Sequence, residues 1–167
     1  MCKGDFKHFN ANFRGVDINH NFDADWEKLK IKEKEMGIHF PTASRFGGYK
    51  KMSEPETLAI VNLCKTFNIR HATALHSQGK VIYWSYGDKR PPHARQMAEI
   101  MASASGYALD YAIGIANGGG FKDWFISEFN RPSFTVEVGI GKNPLPIQSA
   151  EKIYEEVKKA LTLNALF

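Results

Sequence analysis

Apolar positions along the 167-residue chain change their spacing several times, and each change predicts an element. Leu58, Ile60, Val61, Leu63, Cys64 and Phe67 recur at helical spacing behind Ser53-Glu54-Pro55-Glu56, where a serine cap, a first-turn proline and a glutamate read as a helix start. A helix over 54–67 is predicted. Residues 69–76 form an apolar run ending at His76, a Ser-Gln-Gly-Lys turn follows, and a second run covers 81–86; both are predicted strands. After Gly87-Asp88-Lys89-Arg90-Pro91-Pro92 comes a helix over 92–105, closed by Gly106. The β-branched run Ser133-Phe134-Thr135-Val136-Glu137-Val138-Gly139 predicts another strand, and an amphipathic helix over 149–163 ends the pattern. Upstream, 10–26 is dense in Asn, Asp and Gly around Val16-Asp17-Ile18, a brief strand or extended loop presenting Asn19, His20 and Asn21. A helix over 27–36 is stopped by Gly37, and 40–48 is irregular. Helix, strand, strand, helix, strand, helix in that order predicts an α/β domain with a mixed sheet.

Composition narrows the picture without changing it. At 43% hydrophobic and 24% charged residues the chain reads as one globular domain over 1–167. The net charge of +4 is mild, and lysines alternate with glutamates in Glu27-Lys28-Leu29-Lys30-Ile31-Lys32-Glu33-Lys34-Glu35, the pattern of a solvated helix face. Runs of Lys and Arg with interleaved aromatics are absent, so no nucleic-acid partner is expected. Cys2 and Cys64 are too few and too far apart for a disulfide framework or a cysteine metal cluster. No stretch of about 18 apolar residues exists, so no membrane span is expected.

The candidate chemistry sits at two strand ends. A strand delivers His76 to its C-terminal tip, where ligands and catalytic groups collect in open α/β sheets. Glu137 places one carboxylate inside an apolar strand, a costly position unless it is paired, hydrogen-bonded or near a metal; alternation also allows it to face solvent. Asn117-Gly118-Gly119-Gly120 is either a flexible loop over a site or a plain surface turn. Together with the Asn/Asp-rich turn, these features suggest a zinc hydrolase in which a carboxylate accepts a proton from activated water.

Four segments then carry a family resemblance. Gly15-Val16-Asp17-Ile18-Asn19-His20-Asn21-Phe22, Ser53-Glu54-Pro55-Glu56-Thr57, Leu75-His76-Ser77-Gln78-Gly79 and Phe134-Thr135-Val136-Glu137-Val138-Gly139 stand in the order and spacing of zinc carboxypeptidases of the carboxypeptidase A type. Trp84, Gly106-Tyr107, the loop running into Lys122-Asp123-Trp124-Phe125-Ile126, and Asn143-Pro144-Leu145-Pro146 resemble one branch, the bacterial γ-D-glutamyl-(L)-meso-diaminopimelate peptidases that trim peptidoglycan stem peptides. The resemblance implies a three-layer fold with a mixed sheet, a Zn2+ cofactor and a peptide substrate from the cell wall. It makes His76 the third zinc ligand, Glu137 the general base, and Asn19 a holder of the substrate's terminal carboxylate. His20 stands where that family has an arginine, a poorer carboxylate fork tuned to a different substrate end. The arginine that polarises the scissile carbonyl falls at Asn10 or Arg14, with Arg14 the assignment adopted; the family's mobile tyrosine falls at Ile115 and Ala116, leaving Tyr111 the nearest candidate.

One expected motif is missing. The family's first two zinc ligands form a His-x-x-Glu motif upstream of Gly15, and none of the six histidines is followed by Glu at that spacing. The chain is therefore expected to be an N-terminally truncated, partial metallopeptidase domain that binds zinc poorly and hydrolyses little on its own. The rival expectations are a zinc amidohydrolase or deacylase of the same superfamily, and a non-catalytic peptide-binding remnant.

Overall fold

The computed structural model describes residues 8–167. Nine regular elements follow in order: α1 (Trp26–Glu35), α2 (Pro55–Thr66), β1 (Ala72–His76), β2 (Val81–Tyr83), α3 (Ala94–Ser105), β3 (Ala108–Asp110), α4 (Phe121–Phe129), β4 (Ser133–Glu137) and α5 (Ala150–Asn164). The sheet order is β1-β4-β2-β3. β1 and β4 run parallel, as do β2 and β3, while β2 and β4 are antiparallel, so the sheet is mixed as the element order predicts.

Strand alternation sorts β4 between two layers. Phe134 and Val136 join Ile82, Trp84, Met97, Met101, Tyr107, Val157 and Ala160 in a core under α3 and α5. On the opposite face, Phe22, Val61, Cys64, Tyr86, Trp124, Phe125 and Ile126 pack α2, α4 and the segment before α1 together. Each buried side chain of this size contributes roughly 1.5–3 kcal/mol, and two such layers around one sheet give the three-layer architecture.

Several elements depart from their sequence signals. β3 and the start of α4 lie in 107–124, a glycine-rich stretch for which the sequence predicts no regular element. Helix α4 is only nine residues long and buries Trp124, Phe125 and Ile126 consecutively, so it shows no amphipathic stripe. Ser53 is not the cap of α2: the N-cap is Glu54, and the Ser53 hydroxyl instead donates to Glu54 Oε1 at 2.8 Å. Asn21 supplies the missing acceptor from a distant part of the chain, its Oδ1 taking the Glu54 amide at 3.2 Å. Of the apolar positions on α2, Val61 and Cys64 are buried, whereas Leu58, Ile60, Leu63 and the following Phe67 are exposed.

The α1 face read as wholly solvated is not. Leu29 and Glu33, four residues apart, are both fully buried on its inner side. The glycine run is a packed connection. The Gly119 amide donates to Ala24 O at 2.6 Å, and Gly119 O accepts from Phe22 N at 2.9 Å. Gly119 has a φ of +72°, and a Cβ there would lie 2.3 Å from Leu29 Cδ2, so this position accepts only glycine.

Candidate functional site

His76 and Glu137 end their parallel strands as register partners, which sets the two side chains next to each other on one face at the C-terminal edge of β1 and β4. Glu137 is half-buried, and burial pushes its carboxyl up to about 6. Burial also lowers the basicity of His76, against a smaller opposing pull from the Asp17 carboxylate. A neutral imidazole beside a readily protonated carboxylate is a ligand next to a proton acceptor.

Beside them opens a trench of about 1630 Å³, lined by Asp17, Asn19, His20, Arg45, Leu75 and His76 among others. Its polar wall is assembled by Asp17, itself nearly buried. Asp17 Oδ1 accepts the Asn19 amide at 3.3 Å, Oδ2 accepts the Arg45 amide at 2.8 Å, and the Asp17 amide donates to Phe46 O at 2.7 Å. Asn19 Oδ1 takes the Phe121 amide at 3.0 Å, which leaves its Nδ2 protons free to donate into the trench.

His20 is held from behind. Its Nδ1 lies 2.9 Å from Arg45 O and 3.9 Å from Glu33 Oε1. The Glu33 carboxyl is pushed up by burial but pulled below its ordinary range by His20, by Lys30 and by the Gly47 amide, which donates to Oε1 at 2.9 Å. Gly47 permits this approach, since a Cβ there would sit 2.4 Å from His20 O.

Two residues singled out from the sequence lie away from the trench. Arg14 does not line the trench: Asn12 Oδ1 takes the amides of Arg14 and Val16 in a tight turn that throws the arginine outward, 64% exposed and 3.7 Å from Glu54. Asn10, the other gap placement, does line it. Tyr111 follows β3, which runs antiparallel to β4, and so lies at the opposite end of the sheet from Glu137. There it packs on Trp84 and Arg90. Ile115 and Ala116 stand over the trench instead. Sequence reasoning missed Arg45, Asp17 and Glu33; Arg45 sits in an irregular segment with no motif, and Glu33 is camouflaged by its charged neighbours.

The donor set does not make a zinc site by itself. Among the described residues no group of three or more His, Cys, Asp or Glu is placed to hold a metal ion, and His76 is the register partner of Glu137. A catalytic zinc takes three protein ligands and an open position. No helix among the described residues is long and apolar enough to cross a membrane.

Comparison with known proteins agrees with this architecture. The chain is 39% identical over 156 residues to Gamma-D-glutamyl-L-diamino acid endopeptidase 1 of Lysinibacillus sphaericus, covering 90% of this chain and 37% of that protein. Its fold matches carboxypeptidase A of Helicoverpa armigera with a TM-score of 0.66 at 20% identity, over 90% of this chain and 41% of that one. It also matches the murein-tripeptide amidase MpaA of Escherichia coli O157 with a TM-score of 0.61 at 23% identity, over 93% and 60%. The chain thus spans well under half the length of the curated relative. The zinc carboxypeptidase family profile matches residues 5–161, nearly the whole chain, and the protein belongs to the zinc carboxypeptidase family of peptidases.

Proposed function

We propose that this chain forms the substrate-recognition and proton-transfer part of a peptidase that hydrolyses the amide between γ-D-glutamate and diaminopimelate in peptidoglycan stem peptides. The observation that carries the reading is the register pairing of His76 with Glu137 beside a trench walled by Asn19 and His20. The similarity to a γ-D-glutamyl-L-diamino acid endopeptidase of Lysinibacillus sphaericus supports a bond between γ-D-glutamate and a diamino acid as the target. Glu137 takes a proton from the attacking water as its oxygen bonds to the carbonyl carbon. It returns that proton to the leaving amine as the carbon–nitrogen bond breaks. Asn19 and His20 hold the end of the substrate, and burial at the strand ends limits water around the reacting carboxylate. Among the described residues, His76 is the imidazole that this reading assigns to a zinc ion.

The test is release of free diaminopimelate from γ-D-glutamyl-diaminopimelate tripeptides by a zinc-loaded polypeptide containing this chain, with acylated amino acids as the competing substrates. Release from the tripeptides alone is expected. Turnover confined to acylated amino acids points to a deacylase and sinks the peptidoglycan reading.

A second expectation concerns the metal. Zinc added to this chain under calorimetry is expected to give no tight one-to-one isotherm, because a single imidazole does not hold the ion against water. Stoichiometric tight binding would show that the ligand set has been misidentified.

A further inference from the structure

The trench contains one arginine that no motif pointed to, and the backbone around it is tied down. Arg45 has a φ of +69°, its amide donates to Asp17 Oδ2 at 2.8 Å, and its carbonyl faces His20 Nδ1 at 2.9 Å. Its guanidinium has no hydrogen bond or ion pair among the described residues, and it lines the trench with Asn19 and His20.

The contact with Arg45 O decides what His20 presents. A carbonyl only accepts, so Nδ1 carries the proton and Nε2 of the neutral ring is an acceptor. Asn19 is the reverse case: its Oδ1 is committed to the Phe121 amide, so its Nδ2 donates. The wall therefore offers a cationic donor, a neutral donor and an acceptor. One carboxylate, Glu33, lies behind the acceptor, 3.9 Å from His20 Nδ1 and shared with Lys30.

A lone carboxylate satisfies the two donors and leaves His20 unmatched. We infer that Arg45, Asn19 and His20 together recognise an amino-acid end, in which a carboxylate and an ammonium share one carbon. Arg45 and Asn19 donate to the carboxylate, and His20 Nε2 accepts from the ammonium. The Glu33 carboxylate behind His20 backs the ammonium side, and the Arg45 guanidinium suits the carboxylate side. The distal carbon of diaminopimelate is an end of this kind. This assignment rests on the peptidase reading above and names the residues that read its substrate.

Calorimetric titration of the chain with three peptides tests it. γ-D-glutamyl-diaminopimelate carries both distal groups, γ-D-glutamyl-lysine lacks the distal carboxylate, and γ-D-glutamyl-2-aminopimelate lacks the distal ammonium. The first is expected to bind at least about tenfold tighter than either analogue, the scale of one lost charge-assisted hydrogen bond. Arg45→Gln is expected to erase the advantage over the lysine peptide and keep the advantage over the aminopimelate peptide. His20→Phe is expected to do the opposite. Arg45 is exposed, so its substitution leaves the fold intact, which a thermal melt of the variant verifies. An unchanged ratio between the diaminopimelate and lysine peptides in Arg45→Gln overturns the assignment. Equal binding of all three peptides by the wild-type chain overturns it and leaves the peptidase reading standing; no binding of any of them removes both.

Discussion

Glu137→Gln is expected to slow hydrolysis of γ-D-glutamyl amides by about 10²–10⁴-fold in any active polypeptide containing this chain, while making the folded chain more stable at neutral pH. Both effects come from the same burial. The carboxyl is pushed up to about 6 from an ordinary value of 4.5 because the strand end removes water from it without supplying a hydrogen-bond donor among the described residues. In the active form the raised value gives a base able to take a proton from water and release it to an amine. Activity should therefore rise with pH as Glu137 ionises. For stability the sign is reversed. A carboxyl whose folded value lies above its unfolded value favours the fold in its protonated form, so that contribution is present below pH 4.5 and lost as pH rises through about 6. Part of the group still meets solvent, so the penalty at pH 7 is about 1 kcal/mol. Glutamine never ionises and escapes it. Urea denaturation at pH 4.5 and pH 7.5 should show the variant gaining on the wild type only at the higher pH. An equal difference at both values would mean that Glu137 titrates as an ordinary surface carboxylate.

The sequence made the sheet and its outer helices readable because their apolar positions have clear periods. The runs at 69–76 and 133–139 become β1 and β4, and the periodic segments at 54–67, 92–105 and 149–163 become α2, α3 and α5. Helix α4 escaped because a short helix buried on most sides has no polar face to set a period, and its glycine-rich approach looked like the rest of a loop. Glu33 escaped for a related reason. In an alternating Lys/Glu segment nothing distinguishes the one carboxylate that turns inward beneath His20 from those that turn outward. The strand-end pairing of His76 with Glu137 was within reach of motif order, whereas Arg14 and Tyr111 were placed by proximity in sequence to expected positions. A turn built on the Asn12 side chain and the antiparallel course of β2 against β4 move them elsewhere. Arg45 acquires its place through Asp17 and His20, which join two loops more than twenty residues apart, long-range contacts with no local signature.

Lys122→Met is expected to destabilise the chain by about 3–5 kcal/mol, the cost of removing one partner from a buried ion pair. Lys122 and Asp123 are 5% and 2% exposed. The lysine Nζ donates to the Asp123 carboxylate and to Ser85 O at 2.7 Å, and the second Asp123 oxygen takes the Gly118 amide at 2.8 Å. Burial pushes the Asp123 carboxyl above its ordinary range even though Lys122 and the Gly118 amide pull the other way, so desolvation outweighs the attraction of the pair. The pair is therefore weak as a source of stability and strong as a constraint. Methionine fills the lysine's volume but strands an uncompensated carboxylate and the Ser85 carbonyl. Adding Asp123→Asn should recover a large part of the loss, because the amide oxygen still accepts from Gly118 and no buried charge is left. Urea denaturation of both variants measures this; a loss below about 1 kcal/mol in the single variant would mean that the pair is solvated like a surface bridge. The consequence reaches the trench through the chain itself. Asp123 fixes Gly118, Gly119 is bonded to Phe22 and Ala24, and the Phe121 amide sets which end of the Asn19 side chain faces substrate. Peptide affinity should fall in Lys122→Met at temperatures where the variant is still folded, and recover in the double variant together with its stability.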